Sequence, residues 1–212
     1  MPATQISEAI VETKFNSLAA LTRRFEVVIA DPDPLGIFGF AFATFLANLS
    51  TLGVYSFNAM WLSTMIFLGG LAELVAGIQD YKRNNLFGAT VFSFFGVGWM
   101  GNAITAWMVT LKIVPATDPI SQGWSCLFWA VFVAAMTGAS LKLTKVLTVI
   151  LVLVTALELL LAIGSFTGVM FITRAGAACG CMAAVLGLYL ATAGLWNLTF
   201  ARTVLPVGQW TR

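Results

Sequence analysis

Residues 35–54 read LGIFGFAFATFLANLSTLGV, twenty residues without a charge. The hydrocarbon core of a bilayer takes about 20 mostly apolar residues per helical crossing, so this stretch is long enough to span it. Five more stretches of that kind follow, at 59–78, 86–111, 120–141, 146–172 and 175–201. Two of them carry an acid inside, Glu73 and Glu158. The expected fold is an all-α integral membrane protein with six transmembrane helices. Composition agrees: 59% of residues are hydrophobic and 9% charged, against roughly a quarter charged in soluble domains. Mean hydropathy is +0.93.

The net charge of +2 matters less than where the charges lie. With six spans, the N-terminal tail, the second and fourth connections and the C-terminal tail share one side. That side holds Lys14, Arg23, Arg24, Lys82, Arg83, Lys142, Lys145, Arg202 and Arg212, and the other only Lys112 and Arg174. Basic residues accumulate in cytoplasmic connections, so both termini are expected inside, in a plasma membrane or a bacterial inner membrane.

Residues 1–30 form a separate cytoplasmic tail, and 31–212 the transmembrane domain. In the tail Ile10, Val11, Phe15, Leu18, Leu21, Phe25 and Val28 recur at spacings of three and four among charges. That pattern is an amphipathic helix able to lie on the membrane surface, or else a tail without fixed structure. It has no apolar core of the signal-peptide type. Asp31-Pro32-Asp33-Pro34 then disfavours helix before each proline, giving an elbow ahead of the first span. The other connections are short, which leaves no extramembrane domain to house chemistry.

Several functions are excluded by what the chain lacks. There is no histidine, so the commonest general base and metal ligand are missing. Cys126, Cys179 and Cys181 all fall in spans and read as small apolar residues; no metal or cofactor is expected. Nothing suggests nucleic acid or an enzyme. A purely structural membrane organiser would leave the intramembrane acids without a reason.

Polar groups in hydrocarbon are costly and face protein or water. Helical spacing sorts them into stripes. Phe40, Thr44, Asn48 and Thr51 share one face of the first span; Phe95, Gly98, Asn102 and Thr105 one of the third; Val154, Thr155, Glu158, Ala162 and Ser165 one of the fifth. Such stripes either glue helices together or line a narrow path built on the odd-numbered helices. The spans hold no basic residue that could trap an anion. Glu73 shares a face with Gly69, Gly70, Gly77 and Asp80, suited to close helix contact. Rows Gly69–Gly77 and Gly96–Gly101 also offer faces for a second copy.

Several motifs in order carry a family resemblance. Asp31-Pro32-Asp33-Pro34-Leu35-Gly36-Ile37 is similar to the signature Asn-Pro-Ala-Pro-Leu-Gly-Leu of the acetate uptake transporters, or succinate–acetate permeases, which include fungal acetate or ammonia permeases. Gly69-Gly70-Leu71-Ala72-Glu73, Ala76-Gly77, Tyr81-Lys82, Asn85, Phe87-Gly88, Trp99, Asn197 and the ending Phe200–Gly208 also resemble that family. The resemblance implies six helices per protomer, a homo-hexamer in the lipid bilayer, and a substrate path in each protomer. It implies a pinch at Phe40, Phe95 and Val154, where the family has Phe, Tyr and Leu. Asp31 and Asp33 depart from the signature, Glu73 replaces a Gln, and Glu158 stands where a relative has Phe. The expected substrates are small carboxylate anions, acetate first, extending to succinate or lactate, with ammonium or ammonia as the alternative. Thr44, Asn48, Asn102 and Thr155 are the expected substrate-binding donors, and Glu158 and Glu73 the proton-coupling candidates, in a channel-like or proton-coupled route.

The charge asymmetry makes the topology testable. A cysteine introduced after Gly208 should resist an impermeant thiol reagent outside intact cells; strong labelling there would place the C-terminus outside.

Overall fold

The computed structural model describes residues 5, 8, 10–17 and 29–210, in two units, Met1–Ala30 and Asp31–Arg212. In the first unit residues 10–17 are helical, with Ile10, Val11 and Phe15 exposed. The remainder of the expected tail pattern, from Leu18 to Val28, lies outside the described residues.

The second unit holds six helices long and apolar enough to cross a membrane: α1 (Asp33–Thr51), α2 (Ala59–Lys82), α3 (Leu86–Thr110), α4 (Pro119–Ser140), α5 (Lys145–Thr167) and α6 (Met170–Thr199). Their outward faces leave Phe42, Phe67, Leu71, Val97, Phe128 and Val131 exposed, an apolar belt that water would not tolerate.

Side chains start most helices by satisfying their free N–H groups. Asn58 Oδ1 accepts from the N–H groups of Met60 and Trp61, Asn85 Oδ1 from Gly88, Asp118 Oδ1 from Ile120 and Ser121, and Thr144 Oγ1 from Leu147. Helix α1 begins two residues before the expected Leu35. Pro34 sits in its first turn, where a missing N–H costs nothing, and Asp31 Oδ1 accepts from the Asp33 N–H. The end of α5 also departs from expectation. Gly168 adopts the left-handed conformation (φ 71°) and stops the helix after Thr167. Helix α6 then starts at Met170, so Arg174 lies in its opening turns rather than in a connection.

Helix α2 contains a feature that its composition did not announce. Met65–Ala72 is a π-helix between two α-helical pieces, Ala59–Thr64 and Glu73–Lys82. Its glycine pair lets the wide turn press against both neighbours: Gly69 on Ala43 and Trp99, Gly70 on Met100 and the Gly96 carbonyl. The glycine rows offered for a second copy are thus largely used inside the protomer. Gly77 packs on Ser93 and Gly98 on Trp129, and only Gly101 faces open space.

Close packing runs in the order α4–α5–α6–α1–α2–α3. Backbones of α3 and α4 approach much less closely, because Phe94 and Phe95 on α3 meet Trp129 and Phe132 on α4 ring to ring, at 4.3–6.0 Å between centroids. Small residues therefore knit one part of the bundle, and large rings hold the other part apart. The C-terminal segment folds back onto the start of α5. Lys145 and Val146 donate their N–H groups to the carbonyls of Gly208 and Val207, and Asn197 accepts from Val204 and Leu205.

Gly39 marks the tightest approach of α1 to α2. A Cβ there would strike the Leu68 carbonyl oxygen. Gly39→Ala should cost about 1–3 kcal/mol, lowering the thermal midpoint of the protein in detergent. Gly101→Ala, with no atom within 4 Å, should leave it unchanged.

Candidate functional site

Two cavities enter the bundle from opposite ends and meet at the same two rings. The larger, of about 430 Å³, opens at the end bearing the connection between α3 and α4, with Ala116 and Thr117 at its rim. The smaller, of about 110 Å³, lies toward the end bearing Asp33 and Asn85. They are termed outer and inner after the expected topology. Phe40 and Phe95 line both. Their rings meet edge to face, 5.9 Å apart at 76°. Val154 lines the outer cavity, while Ile150 and Leu151, one turn earlier on α5, line the inner one. The three expected pinch residues therefore stand where the two cavities adjoin, and all three are buried.

The stripe on α1 faces the outer cavity entire, as does the stripe on α3: Phe40, Thr44, Asn48 and Thr51, with Phe95, Gly98, Asn102 and Thr105. Asn48 packs against Gly180 of α6 and donates one N–H to the Thr44 carbonyl, at 2.7 Å. Its second amide N–H remains as a donor. The fifth-helix stripe divides. Val154, Leu157, Glu158 and Leu161 line the cavity, the spacing of a single helix face. Thr155 is not among the lining residues. Its hydroxyl donates to the Leu151 carbonyl and lies 3.4 Å from Thr137 of α4, so it joins two helices. One residue is about 100° of helix rotation, enough to turn Thr155 from the path to the neighbour.

The lining is not confined to odd-numbered helices. Trp61 and Met65 of α2, and Gln122, Ser125, Cys126 and Trp129 of α4, complete the outer cavity. The α4 set has the spacing i, i+3, i+4, i+7 of one face and was open to the reading applied to α1 and α3. Cys126 is more than a small apolar residue here. Its thiol accepts from Gln122 Nε2 at 3.4 Å and neighbours the Glu158 carboxyl. Just beyond the rim, Asp118 is held below the ordinary carboxylate range by the Ser121 hydroxyl and by backbone N–H groups. The outer mouth thus keeps a negative charge at neutral pH.

The inner cavity is walled by apolar side chains from α1, α3, α5 and α6, among them Ile37, Phe92, Leu147 and Leu190. Two acids face it, Asp33 and Glu73. Glu73 is 1% exposed and its Oε1 has no hydrogen-bond partner, although the Trp99 indole lies nearby. Asp31 of the elbow forms an ion pair with Arg83. Leu35 is exposed, and Gly36 packs against the Phe92 ring.

A family profile for the GPR1/FUN34/yaaH family matches residues 13–211. The succinate-acetate/proton symporter SatP of Escherichia coli K12 is 34% identical over 181 residues, 85% of this chain and 96% of that one. The ammonia transport outward protein 2 of Saccharomyces cerevisiae is 32% identical over 174 residues, 78% of this chain and 61% of that one. A solved structure of the bacterial acetate channel SatP superimposes with a TM-score of 0.83 at 34% identity, covering 85% of this chain and all of that one.

The pinch can be altered from either side. Val154→Phe should fill the gap beside the Phe40–Phe95 pair and cut solute flux through liposome-reconstituted protein about tenfold or more. Phe40→Ala should raise the size limit for permeating solutes, at a stability cost of about 3–5 kcal/mol. Unchanged flux and selectivity in both folded variants would place the barrier elsewhere.

Proposed function

The chain belongs to the GPR1/FUN34/yaaH family, and on that footing we propose that it passes small monocarboxylates, acetate first, along a path through its own six-helix bundle. It is a multi-pass membrane protein. The observation that carries the reading is the shared lining of the two cavities. Phe40 and Phe95 belong to both, so a small displacement of two rings would join them. Relatives named as an acetate symporter and an acetate channel support the choice of cargo, and they support a transporter over an enzyme. Succinate and lactate are the extensions to test next.

An anion entering hydrocarbon loses its hydration, and the path must replace it. Thr44, Asn102, Ser125 and the second amide N–H of Asn48 are among the donors in the outer cavity, with the unpartnered indole N–H groups of Trp61 and Trp99. Acetate suits the pinch because its methyl group is at home against rings while its carboxylate faces those donors. A larger or fully hydrated solute would meet Phe40 and Val154 first. Glu158, beside the donors, repels a carboxylate when ionised and can donate a hydrogen bond to it when protonated. No cofactor enters this scheme. Assembly into a homo-hexamer is part of the same proposal; the exposed apolar belt is what lipid and neighbouring copies would cover.

A second reading has support of its own. Carboxyls line both cavities, at Glu158, Glu73 and Asp33, and a cation would gain from them what an anion loses. A yeast relative is named for ammonia export. Purified protein in liposomes, loaded with labelled acetate or labelled methylammonium, separates the two. Acetate flux that saturates, falls in Val154→Phe and exceeds methylammonium flux is the expected result. Saturable methylammonium flux without acetate flux would favour the second reading, and absence of both would remove transport of either.

A further inference from the structure

The inner cavity ends in an arrangement of carboxyls that the transport path, as described, does not use. Asp33 opens α1 and lines the cavity. Asp80, in the last turns of α2, is 0% exposed and lies against Gly88 and beside Asn85, two more lining residues. The Asp33 and Asp80 side chains lie close to each other at the end of this cavity. Asp33 Oδ1 and Asp80 Oδ2 are both buried, and neither receives a well-formed hydrogen bond from a described donor. Two carboxyl groups this close and this poorly partnered repel each other when both are ionised, and a single proton shared between them removes that repulsion.

The surrounding charges relieve the pair only in part. Arg83 is the cation at this corner; it pairs with Asp31 and stands 3.5 Å from Asp80 Oδ1. One guanidinium thus faces three aspartates. The other elements at the cavity present Phe87 and Phe92 from α3, Leu147 and Ile150 from α5, and Leu190 from α6. None of these can neutralise a second negative charge. Independently of the cluster, Glu73 is aimed into the same cavity with its Oε1 unpartnered, so the apolar chamber offers a site for a proton at a second depth as well.

We propose that Asp33 and Asp80 hold one proton between them, and that this proton sets the charge which the inner mouth presents to a passing anion. The consequence for flux rests on the carboxylate reading above; the shared proton does not. With the proton in place and Arg83 counted, the corner carries one net negative charge; without it, two. The proton comes from solution at the elbow and returns there. An added unit charge about 12 Å from the anion slows it about tenfold at an effective dielectric constant near 20, and more at closer approach. The sign follows: anion flux is greatest while the pair is protonated and falls as pH rises past its titration. Asp33 stands where the resembled family signature has Ala, so the device belongs to this chain's own departures.

The test uses the full-length protein, with two readouts. In infrared difference spectra at neutral pH, wild type should show a component of the protonated-carboxyl band that Asp33→Asn removes and that persists in Glu158→Gln and Glu73→Gln, each of which removes only its own. In liposomes at fixed acetate anion concentration, with protein-free leak subtracted, wild-type flux should fall about tenfold from mildly acidic to mildly alkaline pH. Asp33→Asn should flatten most of that fall while keeping flux at low pH. Asp80→Asn removes the pair from the other side and replaces the first variant if that one does not fold. A protonated-carboxyl spectrum that Asp33→Asn leaves unchanged, or an unchanged pH profile in a protein that carries acetate, overturns the proposal. A wild type that shows the band but moves no acetate supports the shared proton and counts against the carboxylate reading instead.

Discussion

In the proposed conduit, the edge-to-face contact of Phe40 with Phe95 is what separates the two chambers. On one side of it lies a chamber with hydroxyls, amides and a carboxyl; on the other lies a chamber of aliphatic and aromatic walls with acids at its far end. Stripping an ion of water costs several kcal/mol even after the protein relaxes. A dry aromatic contact is therefore a barrier to any charged solute without needing to be thick. It is also a barrier that rotation of two side chains could lower, which a backbone obstruction would not permit.

Two kinds of helix packing hold those rings in place. Glycine and alanine contacts let α1, α2 and α3 approach backbone to backbone, and Gly39 against the Leu68 carbonyl is the extreme case. Phe40 follows Gly39 directly, so the close contact that fixes α1 against the π-helical turn also fixes the root of that ring. Across the bundle, Phe95 is backed by Trp129, 5.2 Å away, and Trp129 fits because residue 98 is a glycine. The same rings that hold α4 away from α3 leave room for the outer cavity. Tight packing on one side and wide packing on the other are two parts of one arrangement.

This division explains what could be read from the sequence. Apolar length announced six helices, since a bilayer imposes one length on every crossing. The four-residue steps through Thr44 and Asn48, and through Asn102, announced cavity faces because a regular helix carries its periodicity into space. Irregular backbone hides from such counting. The π-helix at Met65–Ala72 leaves only a glycine pair as its trace, and the left-handed turn at Gly168 moved two helix ends. Thr155 stands outside the cavity lining for a different reason: a hydroxyl in a span can satisfy itself on its own helix, as Thr155 does on Leu151, and spacing alone does not separate that role from lining. The pairing of Asp33 with Asp80 joins residues nearly fifty positions apart, and no periodicity links them.

The acids set the last constraint. A path for anions that carries Glu158 outside the pinch, with Glu73 and Asp33 inside it, works against its own cargo if all are ionised. The proposed path therefore asks those carboxyls to be neutral while the anion passes. Protonation removes the repulsion and leaves O–H donors aimed into the cavities, which is what a carboxylate needs after losing its water. The departures Asp33, Glu73 and Glu158 are then compatible with an anion path on one condition: that protons occupy them while the anion passes. A neutral side chain at those positions would impose no such condition, so in the proposed path the acids would tie passage of the anion to protons on both sides of the rings.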